Sequence, residues 1–249
     1  MNIELIATYL DDTAVANAAR TSFNDEAKNY TPEQNESLIK YLARGVSSKE
    51  WDLELSKISA GTGSRYDADT IAFKLASISR HWAPFAHPQA TFKVIAPIPV
   101  ARQLFKHKVG TVESEVSRRY ISSEPTLYVP QEFREKSKTA KQGSGGKHSA
   151  SDQIKEDYIR VATASIDMYN DMINKGVCPE QARLVLPQGM EVQWIWTVSL
   201  ASAARIYNQR TDPHAQKETA ELIGSMGDLM SDKFPLSWRY LTTSGEYDE

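Results

Sequence analysis

A chain of 249 residues, 41% of them hydrophobic, can bury a sizeable core as one large domain or two small ones without disulfide or metal support. Its formal charge of −3 excludes the broad basic coat of general nucleic-acid or membrane-surface binders, so any anion site must be local. The single cysteine, Cys178, excludes a disulfide framework and a Cys-rich zinc site, points to a reducing cytoplasm, and leaves one candidate thiol nucleophile.

Met1-Asn2-Ile3-Glu4-Leu5 lacks the basic region and apolar run of an export leader, and no stretch stays apolar for the ~18 residues a membrane span needs. The expectation is a soluble, cytoplasmic protein with neither membrane nor nucleic acid as partner. Ile3 to Leu10 alternates like a strand, and Asp11-Asp12-Thr13 offers an N-cap to a short helix through Arg20. Thr31-Pro32-Glu33-Gln34 starts a second helix with Leu38, Tyr41 and Leu42 on one stripe. Gly61-Thr62-Gly63-Ser64 interrupts the stretch from Trp51 to Lys74, and a helical period resumes from Asp67 to Arg80.

Thr91 to Ala96 predicts a strand ended by Pro97 and Pro99, and Val100 to Lys106 a helix. Arg118 to Val129 reads as extended. Glu135 to Ser151, polar, Lys-rich and holding Gly143-Ser144-Gly145-Gly146, reads as a flexible excursion at 135–150 within a single domain of residues 1–249. A long helix from Ser151 to Lys175 ends at Gly176, and Pro179 begins a short helix carrying Arg183. Glu191 to Val198 alternates as a strand, followed by helices at Ser199 to Asn208 and His214 to Met230. Separated strands and helices without a repeat predict an α+β fold, a mixed or antiparallel sheet packed with long helices.

Two distant stretches carry the chemistry. Lys106-His107-Lys108 ends the apolar-faced segment beginning at Pro99 and is followed by Ser114, Glu115, Ser117 and Arg119. Three basic groups in a row commonly form a solvated surface, yet a loop of amides, hydroxyls and an arginine also suits a phosphate. Arg183 among Leu184, Val185 and Leu186 is expected to emerge from a packed wall, either toward an anion or in a buried ion pair with Glu180 or Asp212. Arg210 closes a helix, where a cation also serves the dipole. His81 and His87 share no helical face and have no companion ligands, so no metal is expected. His87 reads as a satisfied structural residue and His81 as open to a cofactor. The lone Cys178 reads as inert. Neither a P-loop nor a dinucleotide-binding glycine fingerprint is present.

Taken together, Arg102-Gln103, Lys106-His107-Lys108 and Ser117-Arg118-Arg119-Tyr120 resemble the signature of the flavin-dependent thymidylate synthases, the ThyX family. So do Ala182-Arg183-Leu184-Val185-Leu186-Pro187, Trp196-Thr197-Val198 and Arg210-x-Asp212-Pro213-His214-Ala215-Gln216-x-Glu218, along with His81, Pro84-Phe85 and His87. The resemblance covers roughly residues 80 to 125 and 180 to 220. It departs in having lysines at 106 and 108 where the family has arginines, a spacer before Ser117 one residue longer, and Ser199-Leu200-Ala201 with Arg205 where the family has an Asn-x-Arg pair and a later Asn.

The resemblance implies a ThyX-like fold and methylation of dUMP to dTMP, with 5,10-methylenetetrahydrofolate as carbon donor and NADPH as reductant by way of FAD. By it, Gln103, Lys106, Glu115, Val116, Ser117, Arg119 and Arg183 would hold dUMP, with catalytic Arg210 at the uracil ring. His81, Lys106, His107, Lys108, Glu115, Ser199, Ala201 and Arg205 would hold FAD. It also implies a homotetramer with active sites shared between subunits. A hydroxymethylase of pyrimidine nucleotides on the same fold, and a nucleotide-binding protein with an eroded flavin site, are the alternatives that the departures motivate.

Overall fold

The computed structural model describes residues 1–22, 30–44, 56–57, 60–63, 81–138 and 143–242, so the helical period expected from Asp67 to Arg80 lies outside the described residues. In chain order the elements begin with β1 (Asn2–Tyr9), α1 (Asp12–Thr21), α2 (Pro32–Arg44), a 3-10 turn at Ala83–Ala86, β2 (Gln89–Pro97), α3 (Ile98–Leu104) and β3 (Thr111–Glu115). They continue with β4 (Arg134–Lys136), β5 (Ser144–Lys147), α4 (Ser151–Asn174), α5 (Pro179–Ala182), a 3-10 turn at Arg183–Val185 and β6 (Glu191–Ser199). The last three are α6 (Leu200–Arg210), α7 (Lys217–Lys233) and α8 (Pro235–Thr242). The α+β class expected from the sequence is the class observed, an antiparallel sheet with helices.

The chain forms two compact units interleaved in sequence. One comprises Met1–Ala7, Thr91–Thr197 and Ile206–Met226, and the other Thr8–Ala90, Val198–Arg205 and Gly227–Glu249. No shift of composition marks the joins, because they fall inside β1, β2, β6, α6 and α7 rather than in linkers.

The first unit is built on the four-stranded sheet, in the order β1-β2-β6-β3. Alternation along its two central strands buries Phe92, Val94 and Ala96 of β2 and Val192, Trp194 and Trp196 of β6. The intervening Lys93, Ile95, Gln193 and Ile195 stay half-buried or exposed, as a sheet covered on one face requires. Pro97 ends β2 as predicted, and α3 buries Val100, Ala101 and Leu104. Phe105 then sets its ring edge-on to Trp194, 5.2 Å between centroids, which fixes the point where the basic triplet leaves the helix.

In α4 the chain stops where Gly176 takes φ +84, with the Gly176 amide donating to Ile173 O and the Val177 amide to Met172 O. This Schellman arrangement needs a left-handed residue, which glycine supplies without a Cβ penalty. Arg118 to Val129, expected as extended, is instead a turn and loop with a single bridge, Leu127 to Met190. The Ser117 carbonyl accepts from the Tyr120 amide and the Arg118 guanidinium reaches the Ser123 carbonyl, so this first part closes on itself, and the backbone meets the start of β6 only around Leu127. The segment expected as an excursion carries the antiparallel β4–β5 hairpin, registered Arg134 to Lys147 and Lys136 to Ser144. The Phe133 amide donates to the buried Ser151 hydroxyl at 2.8 Å, anchoring the hairpin to the start of α4.

The second unit gathers α1, α2, the turn at Ala83–Ala86 and α8 around Val15, Ile39, Leu42, Phe85 and Trp238. The cap read at Asp11 accepts from the Ala14 amide at 3.1 Å, and Thr31 and Gln34 form a reciprocal capping box. Asp12 accepts from the amides of Leu236 and Ser237 at 2.8 and 3.0 Å, placing a carboxylate at the start of α8, a helix the sequence reading did not anticipate.

Candidate functional site

Two groups of the residues singled out from the sequence assemble within the first unit. The first lies where β3 gives out. Past Glu115 the ladder runs on for one residue, the Val116 amide donating to Gln193 O at 2.8 Å, and then turns as the Arg119 amide donates to the Ser117 hydroxyl at 3.3 Å. The start of α5 meets this turn. Arg119 Nε pairs with Glu180 Oε2 at 3.3 Å, and Arg183 Nε donates to the Glu180 backbone carbonyl at the same distance. Glu180 thus joins the 115–119 and 180–183 segments through its side chain and its backbone. Glu115 is exposed at the strand end, yet partial desolvation pushes its carboxyl above the ordinary value, with the Arg183 charge pulling it partly back.

The surroundings of Arg183 differ from the packed wall expected. Ala182 is buried, but Arg183 is exposed and Leu184 is 80% exposed, because the 3-10 turn directs both outward. Asp212 does not pair with Arg183. It turns back to accept from the His214 amide at 2.8 Å, contacts His214 Nδ1 at 3.1 Å, and has its carboxyl held below the ordinary range by these bonds. Tyr120 is 79% and Val116 40% exposed, and the Arg119 guanidinium carbon lies 5.6 Å from the Tyr120 ring centroid.

The second group is centred on Arg210 at the end of α6. Its Nε donates to His107 Nε2 at 2.9 Å, and its Nη2 reaches the Gln103 carbonyl at 3.4 Å. The edge of the guanidinium formed by Nε and Nη2 is therefore turned to the protein, and among the described residues Nη1 makes no hydrogen bond. Arg210 also lines an open depression of about 370 Å³ with Asn208, Gln209, Asp212, His214 and Ala215. The Gln103 amide nitrogen donates to Gln216 Oε1, while Gln103 Oε1 accepts from the Thr219 hydroxyl at 3.3 Å. Gln216 Nε2 donates to Glu218 Oε2 at 2.9 Å, and Glu218 accepts from Arg134 Nη2 at both oxygens, 2.8 and 3.0 Å. Sequence reasoning had Gln216 and Glu218 within a motif but gave them no role, and passed over Arg134 and Thr219 entirely. Arg134 sits just before a Lys-rich stretch and carries no sequence signal of its own.

The residues expected to hold a flavin divide between the units. In the first, Lys106 and Lys108 are exposed beside His107 at the end of α3, the Lys108 ammonium pairing with Glu113. In the second, His81 is exposed, its ring 5.6 Å from that of Tyr41, and its amide donates to Leu42 O at 3.1 Å. Ser199 is buried and caps α6: its hydroxyl accepts from the Ser202 amide at 3.3 Å and lies 3.0 Å from the Ser202 hydroxyl. Ala201 and Arg205 are half-buried in the same helix. His87, read as a satisfied structural residue, is exposed at the end of the 3-10 turn. Among the described residues no three His, Cys, Asp or Glu side chains are grouped to hold a metal, and no helix is long and apolar enough to cross a membrane.

Both groups lie inside a stretch that matches a known family along nearly its whole length: residues 4–236 match the model of Thy1, the thymidylate synthase complementing protein. The chain belongs to the Thy1 family. This Thy1 protein is 29% identical over 237 residues to the flavin-dependent thymidylate synthase of Thermosipho africanus, covering 94% of this chain and 87% of the relative. Against that of Thermus thermophilus it is 28% identical over 237 residues, covering 95% and 73%. A segment of 176 residues is 33% identical to the Treponema pallidum enzyme, covering 67% of this chain and 56% of the relative. Its fold is that of the UMP/dUMP methylase PolB from Streptomyces cacaoi, solved with 5-Br dUMP, at a TM-score of 0.76 and 24% identity over 97% of this chain and 94% of the other.

Proposed function

We propose that this Thy1 protein is a flavin-dependent thymidylate synthase that converts dUMP to dTMP, with 5,10-methylenetetrahydrofolate as carbon donor and NADPH as reductant. The observation that carries the reading is the Arg210 guanidinium, fixed on one edge by His107 and the Gln103 carbonyl, in a residue that also lines an open depression. A guanidinium held so beside a uracil carbonyl stabilises the negative charge that develops as N3 ionises or an enolate forms, which makes C5 the nucleophile. Ser117, Arg119 and Arg183 are the phosphate ligands in this reading, joined by Glu180 and flanked by Glu115 and Val116.

The donor set fits a flavin dinucleotide in part. Within the first unit, Lys106 and Lys108 on either side of His107 offer two cations to a diphosphate, whereas in the second the Ser199 hydroxyl serves its own helix. When bound, reduced FAD supplies the hydride that completes the methyl group. The protein's own part is to hold the nucleotide, orient its ring and stabilise developing charge. We further propose a homotetramer whose pockets combine the Ser117–Arg183 group and the Arg210 group from different subunits.

The PolB neighbour is described as acting on UMP as well as dUMP, so the test uses both nucleotides. Purified protein reconstituted with FAD is incubated with either nucleotide, methylenetetrahydrofolate and NADPH, and the product is weighed by mass spectrometry. A methyl increment on dUMP is the expected result. A hydroxymethyl increment would reassign the reaction, and protein that takes up no FAD would reduce the chain to a nucleotide-binding module.

A further inference from the structure

The polar chain behind Gln103 has a direction imposed by its anchor. An ionised carboxylate only accepts and a guanidinium only donates, whereas a glutamine amide does either according to how it is turned. Glu218 is buried at 8% exposure. Burial pushes its carboxyl up, but hydrogen bonds from Gln216, from its own amide and from Arg134 outweigh this and hold it below the ordinary value. Because Glu218 offers no proton, Gln216 must turn its NH2 toward it, at 2.9 Å, and present Oε1 to the other side. That oxygen accepts from Gln103 Nε2, so Gln103 in turn must point its NH2 at Gln216 and its Oε1 at the Thr219 hydroxyl in α7. Gln103 belongs to the backbone segment whose carbonyl receives Arg210 Nη2.

The geometry points to Glu218, gripped by Arg134, as a positioning residue: acting through Gln216 it fixes which face of the Gln103 amide meets the nucleotide and steadies the segment that carries the Arg210 contact. Gln216 is the relay, and neither it nor Glu218 touches substrate in this assignment. The inference rests on the reading of Gln103 and Arg210 as part of a dUMP site. A purely structural purpose exists beside it, since Arg134 also donates from Nε to Ser144 at 2.7 Å and so ties the β4–β5 hairpin to α7.

The two purposes separate by substitution. Gln216→Met interrupts the relay while leaving the Arg134–Glu218 pair and the hairpin anchor in place. The double exchange Gln216→Glu with Glu218→Gln restores the order of donors and acceptors: an acceptor again faces Gln103 Nε2, and the new glutamine gives its NH2 to residue 216 and its oxygen to Arg134. The measurement is the dUMP dissociation constant of full-length protein by calorimetric titration, alongside the melting temperature.

The expected result is that Gln216→Met binds dUMP about fivefold to tenfold more weakly, the worth of one positioned hydrogen bond, at a melting temperature close to that of the unaltered protein. The double exchange, if it folds, returns affinity to within about twofold of the unaltered protein. Unchanged affinity in Gln216→Met overturns the inference by itself, so the outcome does not depend on the exchange folding. A folded double exchange as weak as Gln216→Met overturns the account of direction. Unaltered protein that binds no dUMP overturns the underlying site reading, a result seen before any variant is made.

Discussion

Arg210 Nε donates to His107 Nε2 at 2.9 Å, which makes the histidine an acceptor at that nitrogen and places a neutral ring, protonated at Nδ1, beside the guanidinium. The middle residue of the basic triplet is thereby a brace for the arginine rather than a third positive charge. A lysine at 210 keeps the charge but loses the planar fork that serves His107 and the Gln103 carbonyl together. Arg210→Lys is expected to lower kcat by about 10²–10³, the loss found when one preorganised donor is removed from developing charge, with the melting temperature little changed. Steady-state kinetics and a thermal melt check it, and near-normal kcat in the lysine variant would remove Arg210 from the chemistry.

Cys178 is exposed and precedes α5 without capping it through its side chain. A thymidylate synthesis that proceeds by covalent addition to uracil requires a thiolate, whereas a flavin route activates the ring by electrostatics and cofactor chemistry. Cys178→Ala is therefore expected to keep most activity. Loss of turnover in a folded Cys178→Ala protein would point to a covalent mechanism instead.

Where a local rule fixes local structure, the sequence was enough. Asp11 and Thr31 cap the helices they precede, Pro97 ends β2, Gly176 ends α4, and the alternation of Glu191 to Val198 is a strand with tryptophans inside. The 115–119 and 180–183 segments, both picked out by motif, meet in the structure at Glu180. What escaped was set by partners far along the chain. The 3-10 turn that exposes Leu184 cannot be told from a packed helix by three apolar letters. The β4–β5 hairpin depends on Arg134 finding Glu218, 84 positions away. Ser199, assigned to a flavin by the resemblance, also has the spacing of an N-cap to Ser202, and its hydroxyl takes that bond.

Gly189 is required by a close approach. A Cβ built there would lie 1.8 Å from the Tyr158 hydroxyl oxygen, and that hydroxyl donates to the Tyr128 carbonyl at 2.8 Å. Gly189→Ala must displace the Tyr158 side chain and break this bond, and the Tyr128 amide beside it is itself held by Gly189 O at 2.9 Å. The expected cost is about 1–3 kcal/mol of unfolding free energy, read from urea denaturation. A second change, Tyr158→Phe, removes the clashing oxygen, so Gly189→Ala is expected to cost less in that background. Equal cost in both backgrounds would place the strain elsewhere.

Two carboxylates give the folded protein opposite responses to pH. Glu218 has its folded value held below the ordinary one, because the bonds from Gln216, its own amide and Arg134 overcome the effect of burial. It contributes stability that is complete above the ordinary carboxylate value and is lost as pH falls through the lower folded value. Glu115, an exposed residue, has its folded value raised by partial desolvation, against the pull of Arg183, so its effect on stability is small. The fold then binds its proton more tightly than the unfolded chain does, so stability declines as pH rises from the ordinary value through the raised one, and the cost persists above it. Glu115→Gln is accordingly expected to raise the melting temperature slightly at neutral pH and to leave it little changed in acid, while Glu218→Gln lowers it at neutral pH and flattens the acid limb. Melting curves of both variants from acid to neutral pH test the signs. A Glu115→Gln protein less stable than its parent at neutral pH would mean that its attraction to Arg183 outweighs its desolvation, and would make this carboxylate part of the framework that holds the arginine.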